Sequence, residues 1–572
     1  MRKALIATCL LALLVGLTTT ASGKEGTKLK RPATGDLGVI ATESPAAARV
    51  GRAVLESGGN AVDAAAATVF AIGVARPQSC GIGGGGFMVF RSAQGKTDTL
   101  DFRETAPAAF RPRTLKSKGL HTDFTGHLTV GVPGTVAGMQ AMLKRYGTIS
   151  LSRAVRPAER LARGGVRVTP EVAAATKENA KRLKLFPASR RQYLRRGKPL
   201  RAGSRLRQRD MAATLRRIIR SGPRGFYRGV NARRIVADMR RASRLKGDRG
   251  IMRLRDLARY EAKWRAPLTG SFRGRQIVAM PPPTSGGIAV VQMLNVLEGF
   301  DLKASGQSSA NSLHPIIEAE KQAFADRGEY VGDPGFVKVP TQRLISKDYA
   351  AQRRALIRPD RAQNYKPGLG PRSAGSSGTE TGSTTHVSVV DRQGNAVALT
   401  CTIEQEVGSA VIAPGTGFLL NNELTDFGDP GTANAARAGK RPRSSMSPTI
   451  VVEDGRPVVV TGGAGGSRII MGVLFTVLNR VEYGLDLPRA VDAERLDAQA
   501  VPDDPILIEG ARLAPGVLAD LKRRGHEFEG EGEYADSPRI QAAGYRGAAS
   551  GLTKDAVSDS RSENGSVAQR SR

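Results

Sequence analysis

Cysteine and histidine are scarce in this sequence of 572 residues, which contains three cysteines and five histidines. Cys9 falls within an N-terminal apolar run, so the rest of the sequence contains two cysteines, Cys80 and Cys401. Two cysteines do not make a disulfide framework, and their positions do not decide whether they pair; we favour unpaired thiols. The histidines show no metal-ligand spacing and no cysteine partners, so we expect no metal. They are His121, His127, His314, His386 and His526.

Long apolar segments are absent after the first 23 residues. Arg2 and Lys3 precede an apolar run from Ala4 to Leu17, and small residues follow it. This is the pattern of a secretory signal peptide, and the run is too short to span a bilayer as a helix. We therefore predict that residues 1–23 are removed and that the mature protein is exported, to the periplasm or the extracellular space, without a membrane anchor.

Acidic residues are too few to balance the basic ones. The sequence has 87 Lys and Arg against 52 Asp and Glu, and residues 181–260 alone hold 27 basic and 4 acidic residues. Arginine pairs such as Arg190-Arg191 can contact nucleic acid or an anionic surface. The region lacks interleaved aromatic residues, however, and amphipathic segments such as Met211 to Ile219 predict ordinary helices with solvated basic faces. We interpret it as a basic surface and expect no nucleic-acid partner.

Two alternating segments joined by a glycine turn predict a β-hairpin. They are Thr384–Val390 and Ala396–Thr402, and a stretch rich in Gly, Ser, Pro and Thr, residues 365–383, precedes them. Thr384 thus stands where a flexible segment meets a strand. If the chain were cut before it, Thr384 would carry both a hydroxyl nucleophile and a free α-amine to act as its base. The alternative is a strand that simply begins with a β-favouring residue.

Two glycine-rich segments could be mistaken for nucleotide-binding loops. Residues 81–86 match the dinucleotide pattern, but that pattern needs a strand before it and a helix after it, and the strand-like segment Phe87 to Phe90 follows instead. Residues 462–466 lie between a predicted strand, Pro457 to Thr461, and a helix from Ser467, and they lack the Gly-Lys-Ser/Thr ending of a phosphate loop. We therefore reject a nucleotide site.

Local signals predict two helices near the N-terminus, a further helix from Pro515 to Arg524 and a polar C-terminal tail. Ser44 as N-cap and Pro45 at the first position predict a helix that ends at Glu56. An almost uniformly small-residue segment, Ala61 to Ala71, predicts a second, buried helix. The tail from Lys554 is polar, and we expect it to be at least partly mobile.

Several blocks occur in a fixed order along the chain: Leu-Asp-Phe-Arg-Glu-Thr-Ala-Pro from Leu100, Thr-Thr-His-Val-Ser-Val-Val-Asp from Thr384, Leu-Leu-Asn-Asn-Glu from Leu419, Arg-Pro-Arg-Ser-Ser-Met-Ser-Pro-Thr from Arg441 and Gly-Gly-Ala-Gly-Gly-Ser-Arg from Gly462. Together they resemble the γ-glutamyltransferase (γ-glutamyltranspeptidase) family of N-terminal-nucleophile hydrolases. The resemblance implies an α/β fold, a four-layer αββα sandwich. It also implies self-cleavage between Ser383 and Thr384 into a large chain, residues 24–383, and a small catalytic chain, residues 384–572, which form one intertwined domain.

The resemblance implies an enzyme that transfers a γ-glutamyl group, with glutathione as the expected donor class and water, amino acids or peptides as acceptors. It needs no cofactor. The implied catalytic residues are Thr384 as nucleophile, Thr402 as its hydrogen-bond partner, and Gly465 and Gly466 as the oxyanion hole. The implied substrate-binding residues are Arg103, Ser444 and Ser445 for the donor's α-carboxylate, and Glu404, Glu423 and Asp426 for its amino group.

Some positions depart from the family pattern. Many members have Asn in place of Glu404, some have Gln in place of Glu423, and many have Ser in place of Cys80. The connection 428–439 is shorter than the loop that covers the donor in many members. A related acylase, or a poly-γ-glutamate hydrolase or transpeptidase with the same nucleophile, is the alternative. A non-enzymatic basic binding protein would require broken catalytic positions, and these are intact.

Overall fold

The computed structural model describes residues 29–111, 124–241, 245, 248–370, 382–499, 505–529, 537–547 and 551–571. The predicted signal peptide, His121 and most of the segment preceding Thr384 lie outside these residues. Within them, no helix combines the length and apolarity needed to cross a membrane.

The described residues form twenty-one strands, which make two large sheets and three small ones. In chain order, β1 to β21 are Ala33–Gly35, Gly38–Thr42, Gly85–Arg91, Thr97–Asp101, Val166–Arg167, Leu194–Arg195, Lys198–Pro199, Arg205–Leu206, Lys263–Arg265, Leu268–Phe272, Arg275–Ala279, Thr384–Val390, Ala396–Thr402, Thr449–Glu453, Arg456–Ala464, Leu496–Asp497, Ile506–Ile508, Phe528–Glu529, Arg539–Tyr545, Lys554–Ser558 and Val567–Gln569 among the described residues.

Nineteen α-helices occur in the described part of the chain. In chain order, α1 to α19 are Pro45–Glu56, Ala61–Ala75, Thr135–Tyr146, Leu151–Gly164, Pro170–Glu178, Ala180–Lys184, Pro187–Tyr193, Arg209–Ser221, Arg224–Tyr227, Gly229–Met239, Leu254–Ala258, Gly286–Leu297, Leu302–Ser305, Ala310–Tyr330, Thr341–Leu344, Lys347–Arg354, Ile469–Val481, Leu487–Asp492 and Val517–Arg523. Short 3₁₀ turns cover His127–Thr129, Glu423–Asp426, Gly466–Arg468 and Gly510–Arg512.

Both large sheets have seven antiparallel strands. One has the order β1-β20-β19-β15-β14-β11-β10 and the other β21-β2-β12-β13-β3-β4-β9. Strand β12 packs across the gap against β15 and β19, so the sheets lie face to face. Helices α1 and α2 cover the second sheet from outside, whereas α12 and α17 cover the first. The predicted four-layer αββα sandwich is therefore confirmed.

The hairpin at the centre of the second sheet forms as predicted. β12 and β13 pair in register, with Thr384 opposite Thr402. Val387 and Val389 belong to the apolar cluster beneath α2, whereas the Ser388 hydroxyl, on the other face, donates to the Gln541 carbonyl of β19 at 3.0 Å. Because successive side chains alternate between the faces of a strand, Thr384 shares the face of Ser388. It therefore faces the space between the two sheets at the beginning of its strand.

The helices near the N-terminus also form close to their predicted positions. α1 runs from Pro45 to Glu56, and the Ser44 hydroxyl caps it by accepting from the Ala47 amide at 3.4 Å. α2 begins at Ala61 as predicted and continues four residues beyond the predicted end, to Ala75, with every residue buried. The basic region forms short helices with exposed arginines, as the amphipathic pattern predicts.

The expectation of unpaired cysteines is wrong, because Cys80 and Cys401 form a disulfide with a Cα–Cα distance of 5.6 Å. The two residues are 321 positions apart, and both are buried. They meet because β13 pairs with β3, placing Cys401 opposite Gly86, close to the turn that contains Cys80. No local pattern encodes this long-range contact. The bond joins the parts of the chain on either side of Thr384.

The C-terminal tail is a second correction, since it is not a mobile appendage. Lys554–Ser558 forms β20 within the first sheet and Val567–Gln569 forms β21 at the edge of the second. Lys554 is buried, and its ammonium donates to the carbonyls of Asp36 and Leu552 at 2.7 and 3.1 Å. Their short length and polar composition concealed these strands in the sequence, and their pairing with β19 and β2 identifies them.

The glycine-rich segment before α17 is partly strand. β15 continues to Ala464, past the predicted end at Thr461. A Cβ built on Gly462 would lie 2.4 Å from the His386 ring, and one on Gly463 would lie 2.7 Å from the Arg539 carbonyl oxygen. Gly462 therefore allows close packing between the two sheets, and Gly463 allows close packing against the neighbouring strand β19. The turn itself is confined to Gly465 and Gly466, whose φ angles are 137° and 62°.

Candidate active site

A small cavity of about 30 Å³ opens between the two sheets beside Thr384. Among the described residues, nine of the ten predicted site residues line it: Arg103, Thr384, Thr402, Glu404, Glu423, Asp426, Ser444, Ser445 and Gly466. Gly382, Met446 and Ile469 complete the lining. Gly465, the tenth, directly precedes Gly466 in the chain. Residues spread over more than 360 positions of sequence thus converge on one pocket.

The hydroxyl groups of Thr384 and Thr402 form a directed hydrogen-bond chain. Thr384 Oγ1 donates to Thr402 Oγ1 at 3.2 Å, and Thr402 Oγ1 donates to the Ser383 carbonyl oxygen at 3.1 Å. The Glu404 amide also donates to Thr402 Oγ1, at 2.8 Å. A hydroxyl has one proton and two lone pairs, so these three contacts use the full capacity of Thr402. The carbonyl that precedes Thr384 is consequently held next to the threonine pair.

Arg103 is fully buried and forms the opposite side of the pocket. Its guanidinium forms ion pairs with Glu423 and with Asp426, the latter at 2.5 Å. It also donates to the Arg443 carbonyl at 2.9 Å and, more weakly, to the Pro442 carbonyl at 3.4 Å. A guanidinium offers five donors in a planar fork, which suits it to several acceptors at once. Arg103 is therefore held in one orientation by acceptors at all three of its guanidinium nitrogens.

The acidic side of the pocket concentrates carboxyl groups in a buried place. Burial raises the pKa of Glu423 well above its usual range, and Glu104 raises it further while Arg103 opposes this shift. Burial likewise raises the pKa of Glu404, with added repulsion from Asp426 and Glu423. Like charges confined at low dielectric favour either protonation or a bound cation. The cluster is suited to an ammonium group.

Glu404 has a backbone conformation that is unusual for a glutamate. Its φ angle is +76°, in the left-handed region where Asn is tolerated better than longer residues. Asn422 Nδ2 donates to Glu404 Oε2 at 2.5 Å, and Gln405 Nε2 donates to Oε1 at 3.0 Å. These contacts hold the side chain in the pocket. The geometry explains physically why Asn suits this position.

Ser444 and Ser445 are held by a turn from the part of the chain before Thr384. The Ser444 amide donates to the Pro283 carbonyl at 3.2 Å, and the Ser285 amide donates back to the Ser444 carbonyl at 2.8 Å. Thr284 Oγ1 donates to the Met446 carbonyl at 2.6 Å. The segment from Pro281 to Gly287 therefore positions the two serines.

The buried histidine of the hairpin is structural. His386 hydrogen-bonds through Nδ1 to Thr400 Oγ1 at 2.8 Å and through Nε2 to Ser388 Oγ at 3.0 Å. Burial lowers its pKa to about 3, so it is neutral throughout the physiological range. His386 does not line the pocket and is not a base for Thr384.

Two histidines that lie far apart in the sequence, His314 and His526, are in contact in the structure. His314 and His526 approach through Nδ1 and Nε2 at 2.7 Å, beside Glu318. His314 Nε2 donates to the Arg358 carbonyl at 2.7 Å, so its Nδ1 accepts from His526. Lys321 Nζ lies 3.0 Å from Glu318 Oε1 and supplies a cation there. Existing hydrogen bonds and this ammonium occupy the group, and the absence of a metal stays a prediction.

Three residues near the pocket were not predicted from the sequence as site residues. Glu104 is buried beside Arg103, and burial raises its pKa to about 7. Asn422 orients Glu404, and Arg327 donates to Ser445 Oγ at 2.7 Å. Glu104 and Asn422 lie in blocks that resemble the family pattern, but nothing in those blocks distinguishes a side chain facing the pocket from one that supports it.

A four-layer sandwich with a threonine at the head of a central strand, facing the space between the sheets, defines the class of N-terminal-nucleophile hydrolases. Within this class, the γ-glutamyltranspeptidase family model matches residues 47–569. The chain belongs to the γ-glutamyltranspeptidase family.

Known relatives include both hydrolases and acylases. The chain is 42% identical over 506 residues to the glutathione hydrolase proenzyme of Escherichia coli (strain K12), covering 86% of this chain and 85% of that one. It is 39% identical over 522 residues to the Acylase ACY 1 proenzyme of Pseudomonas sp. (strain V22), covering 89% of each. The crystal structure of cephalosporin acylase from Bacillus halodurans matches with a TM-score of 0.85 at 28% identity, over 95% of this chain and 98% of that one.

Proposed function

We propose that this chain is a γ-glutamyltransferase and glutathione hydrolase with Thr384 as its nucleophile. The observation that carries the proposal is the convergence of Thr384, a buried guanidinium, two serines and a carboxyl cluster on one pocket. A γ-glutamyl group has an α-carboxylate, an α-ammonium and an amide carbonyl. The pocket contains groups of suitable charge and hydrogen-bonding type for each of the three.

The nucleophile requires cleavage between Ser383 and Thr384. The Thr384 hydroxyl oxygen adds to the Ser383 carbonyl carbon, the C–N bond breaks, and the hydroxyl proton passes to the departing amine nitrogen. Water then hydrolyses the ester, which releases the Ser383 carboxylate and restores the hydroxyl. The hydrogen bond from Thr402 to the Ser383 carbonyl supports this step, because it withdraws electron density from the carbon under attack.

In the mature enzyme the free α-amine of Thr384 acts as the base. The amine takes the hydroxyl proton as the oxygen attacks the donor's γ-carbonyl carbon, and it returns this proton to the leaving amine. The resulting γ-glutamyl ester is then attacked by water or by an acceptor amine. Gly465 and Gly466 are suited to stabilise the tetrahedral oxyanion with backbone N–H groups, and one such donor typically contributes about 3 kcal/mol.

Arg103, Ser444 and Ser445 bind the donor's α-carboxylate in this proposal, whereas Glu404, Glu423 and Asp426 bind its ammonium. Arg103 is already paired with Glu423 and Asp426, so the cationic and anionic parts of the pocket hold each other in place. An α-amino acid bears its two charges on neighbouring atoms. The adjacency of Arg103 to these carboxylates matches that arrangement.

The proposed organisation follows the same reasoning. Residues 1–23 are a signal peptide, residues 24–383 a large chain and residues 384–572 a small catalytic chain, and the mature enzyme is periplasmic or extracellular. The two chains are each other's partners, and small γ-glutamyl donors with amino-acid or peptide acceptors are the ligands. The proenzyme names of the relatives support the processing step.

An acylase is the second candidate, because acylases are among the relatives and the matching structures. The pocket favours a γ-glutamyl donor over a glutaryl donor. A glutaryl-type donor has no amine, so it would not bring the ammonium that the carboxyls of Glu404, Glu423 and Asp426 are suited to bind. Arg103 alone would then balance this buried cluster, and buried negative charge that is only partly balanced is costly. A donor lacking the amine should therefore bind more weakly.

The test of the function is an assay of the purified mature protein on γ-glutamyl and glutaryl p-nitroanilides, each with and without a dipeptide acceptor. We expect turnover of the γ-glutamyl compound and faster release of p-nitroaniline when the acceptor is present. Preference for the glutaryl compound would instead identify an acylase.

The short connection between Phe427 and Lys440 leads to a prediction about substrate size. It folds back on itself: the Gly428 amide donates to the Asn434 carbonyl at 3.0 Å, and Lys440 Nζ donates to the Ala433 carbonyl at 2.7 Å. A short connection folded back in this way does not extend over a ligand, whereas loops that cover a site restrict the size of the substrate. We expect the mature enzyme to process oligo-γ-glutamates as well as glutathione.

This prediction is checked by comparing kcat/KM for glutathione with that for a γ-linked pentaglutamate. An α-linked pentaglutamate is the control, since it has the same charge without the γ-amide. Good turnover of glutathione with no processing of the γ-linked oligomer would mean that another loop closes the site.

A further inference from the structure

Arg327 lies directly behind the two serines of the pocket. It belongs to α14, before the proposed cleavage point, and its side chain is buried. Its Nη2 donates to Ser445 Oγ at 2.7 Å and its Nε donates to Ser285 Oγ at 2.9 Å. One guanidinium therefore reaches two serine hydroxyls, one in each of the proposed chains.

The second of these hydroxyls transmits the contact to Ser444. Ser285 Oγ donates to the Ser444 carbonyl oxygen at 2.8 Å. The Arg327 backbone is attached to the same segment, because Arg443 Nη1 donates to the Arg327 carbonyl at 3.0 Å. Arg327 thus acts on Ser445 directly and on Ser444 through Ser285. Both serines line the pocket, whereas Arg327 is not one of the described residues that line it.

The direction of the contact determines how Ser445 can be used. A guanidinium has only donors, so Ser445 Oγ must be the acceptor in the contact with Arg327. The single hydroxyl proton of Ser445 therefore points away from Arg327, and Ser445 lines the pocket. A hydroxyl that accepts from a cation is polarised and becomes a stronger donor. Both the fixed orientation and the polarisation of this hydroxyl favour the binding of an anion in the pocket.

We propose that Arg327 is a positioning residue of the α-carboxylate subsite, which orients and polarises Ser445 towards the donor's carboxylate. This inference rests on the proposed function and adds a specificity determinant to it. Arg103 contacts the carboxylate directly, whereas Arg327 acts through the serine and contributes a second buried positive charge behind it. The large chain thereby takes part in substrate selection through α14.

The proposal predicts a selective loss of carboxylate binding. In Arg327→Met we expect the KM for γ-glutamyl p-nitroanilide to rise about 10-fold, or about 1.4 kcal/mol, with kcat within about threefold, because the contact supports binding of the donor and not the chemical step. The inhibition constant of L-glutamate, which carries the α-carboxylate, should rise by a similar factor. That of 4-aminobutyrate, which lacks this group, should stay unchanged. Arg327→Lys, with donors at a single point, should give an intermediate result.

Two comparisons separate positioning from general damage. Arg353→Lys is the matched control, because Arg353 is also a buried arginine and donates to the carbonyls of Lys366 and Gln322 away from the pocket. Its effect on the ratio of the two inhibition constants should be nil. The effects of Arg327→Met and Ser445→Ala should be clearly less than additive when the two are combined, because both changes remove the contact between Arg327 and Ser445.

A uniform loss for both inhibitors, or full additivity with Ser445→Ala, would overturn the proposal and leave Arg327 as a packing residue. Self-cleavage and the melting temperature are measured for each variant. If Arg327→Met does not mature, Arg327→Lys and Ser285→Ala decide the question by the same ratio. Failure of the proposed function itself is distinct, since the unmodified enzyme would then show no γ-glutamyl turnover.

Discussion

Replacing Thr384 by alanine is expected to leave the chain uncleaved and to lower γ-glutamyl hydrolysis by about 10⁴-fold or more, as the loss of a covalent nucleophile does in other enzymes. The alanine methyl group can form neither the ester of self-cleavage nor the γ-glutamyl ester of catalysis. The hydrogen bond from Thr384 to Thr402 is lost as well. The measurements are N-terminal sequencing of the purified protein and initial rates on γ-glutamyl p-nitroanilide.

Thr384→Ser is the matched control, because it keeps the hydroxyl and should mature and retain measurable activity. Cleavage must be followed on reducing gels, since the Cys80–Cys401 disulfide spans the cut. Without a reductant the mature protein should migrate as one species, whereas Cys401→Ser should release two chains under both conditions. A single uncleaved chain with full activity would exclude Thr384 as an N-terminal nucleophile.

Replacing Arg103 by lysine is expected to lower kcat/KM for γ-glutamyl p-nitroanilide by about 100-fold, because hydrogen bonds between charged groups contribute about 1.5 to 3 kcal/mol each. The guanidinium contacts Glu423, Asp426 and the Arg443 carbonyl together. A lysine ammonium keeps the charge but cannot reproduce the planar fork, so it cannot serve these acceptors and a bidentate carboxylate at once. Steady-state kinetics on the mature variant measure the effect.

Arg265→Lys is a suitable control for this variant. Arg265 pairs with Asp101 at 2.7 Å, and Asp101 also accepts from the Arg103 amide, but Arg265 is not one of the described residues lining the pocket. Its replacement should leave kcat/KM nearly unchanged. Near-normal kinetics of Arg103→Lys in cleaved, folded protein would remove Arg103 from the donor site.

The parts of the fold that could be predicted from sequence are those determined by neighbouring residues. The hairpin from Thr384 to Thr402 follows from period-two alternation around a glycine turn, and α1 follows from its Ser-Pro start. The members of the pocket could be named because their blocks resemble a known family, and the structure brings nine of the ten together. Their individual roles stay predictions until the variants are measured.

Other features depend on contacts between distant parts of the chain. The tail strands β20 and β21 are polar, and only pairing with β19 and β2 identifies them as strands. The extension of β15 through Gly462 follows from the close approach of the His386 ring. In each case a partner far away in the sequence outweighs the local composition, because strand pairing and packing distances are properties of the assembled sheets.

The sequence by itself determined the four-layer class, the central hairpin and the set of residues that form the pocket. It also predicted an export signal. Only the tertiary structure decided that Cys80 bonds to Cys401, that Arg103 is locked between Glu423 and Asp426, and that Arg327 stands behind Ser445. The physical reason is the separation in sequence between the residues that each interaction joins. Alternation and helix capping act between residues a few positions apart, whereas disulfides, buried ion pairs and shifted pKa values arise where folding brings distant groups together in a low-dielectric interior.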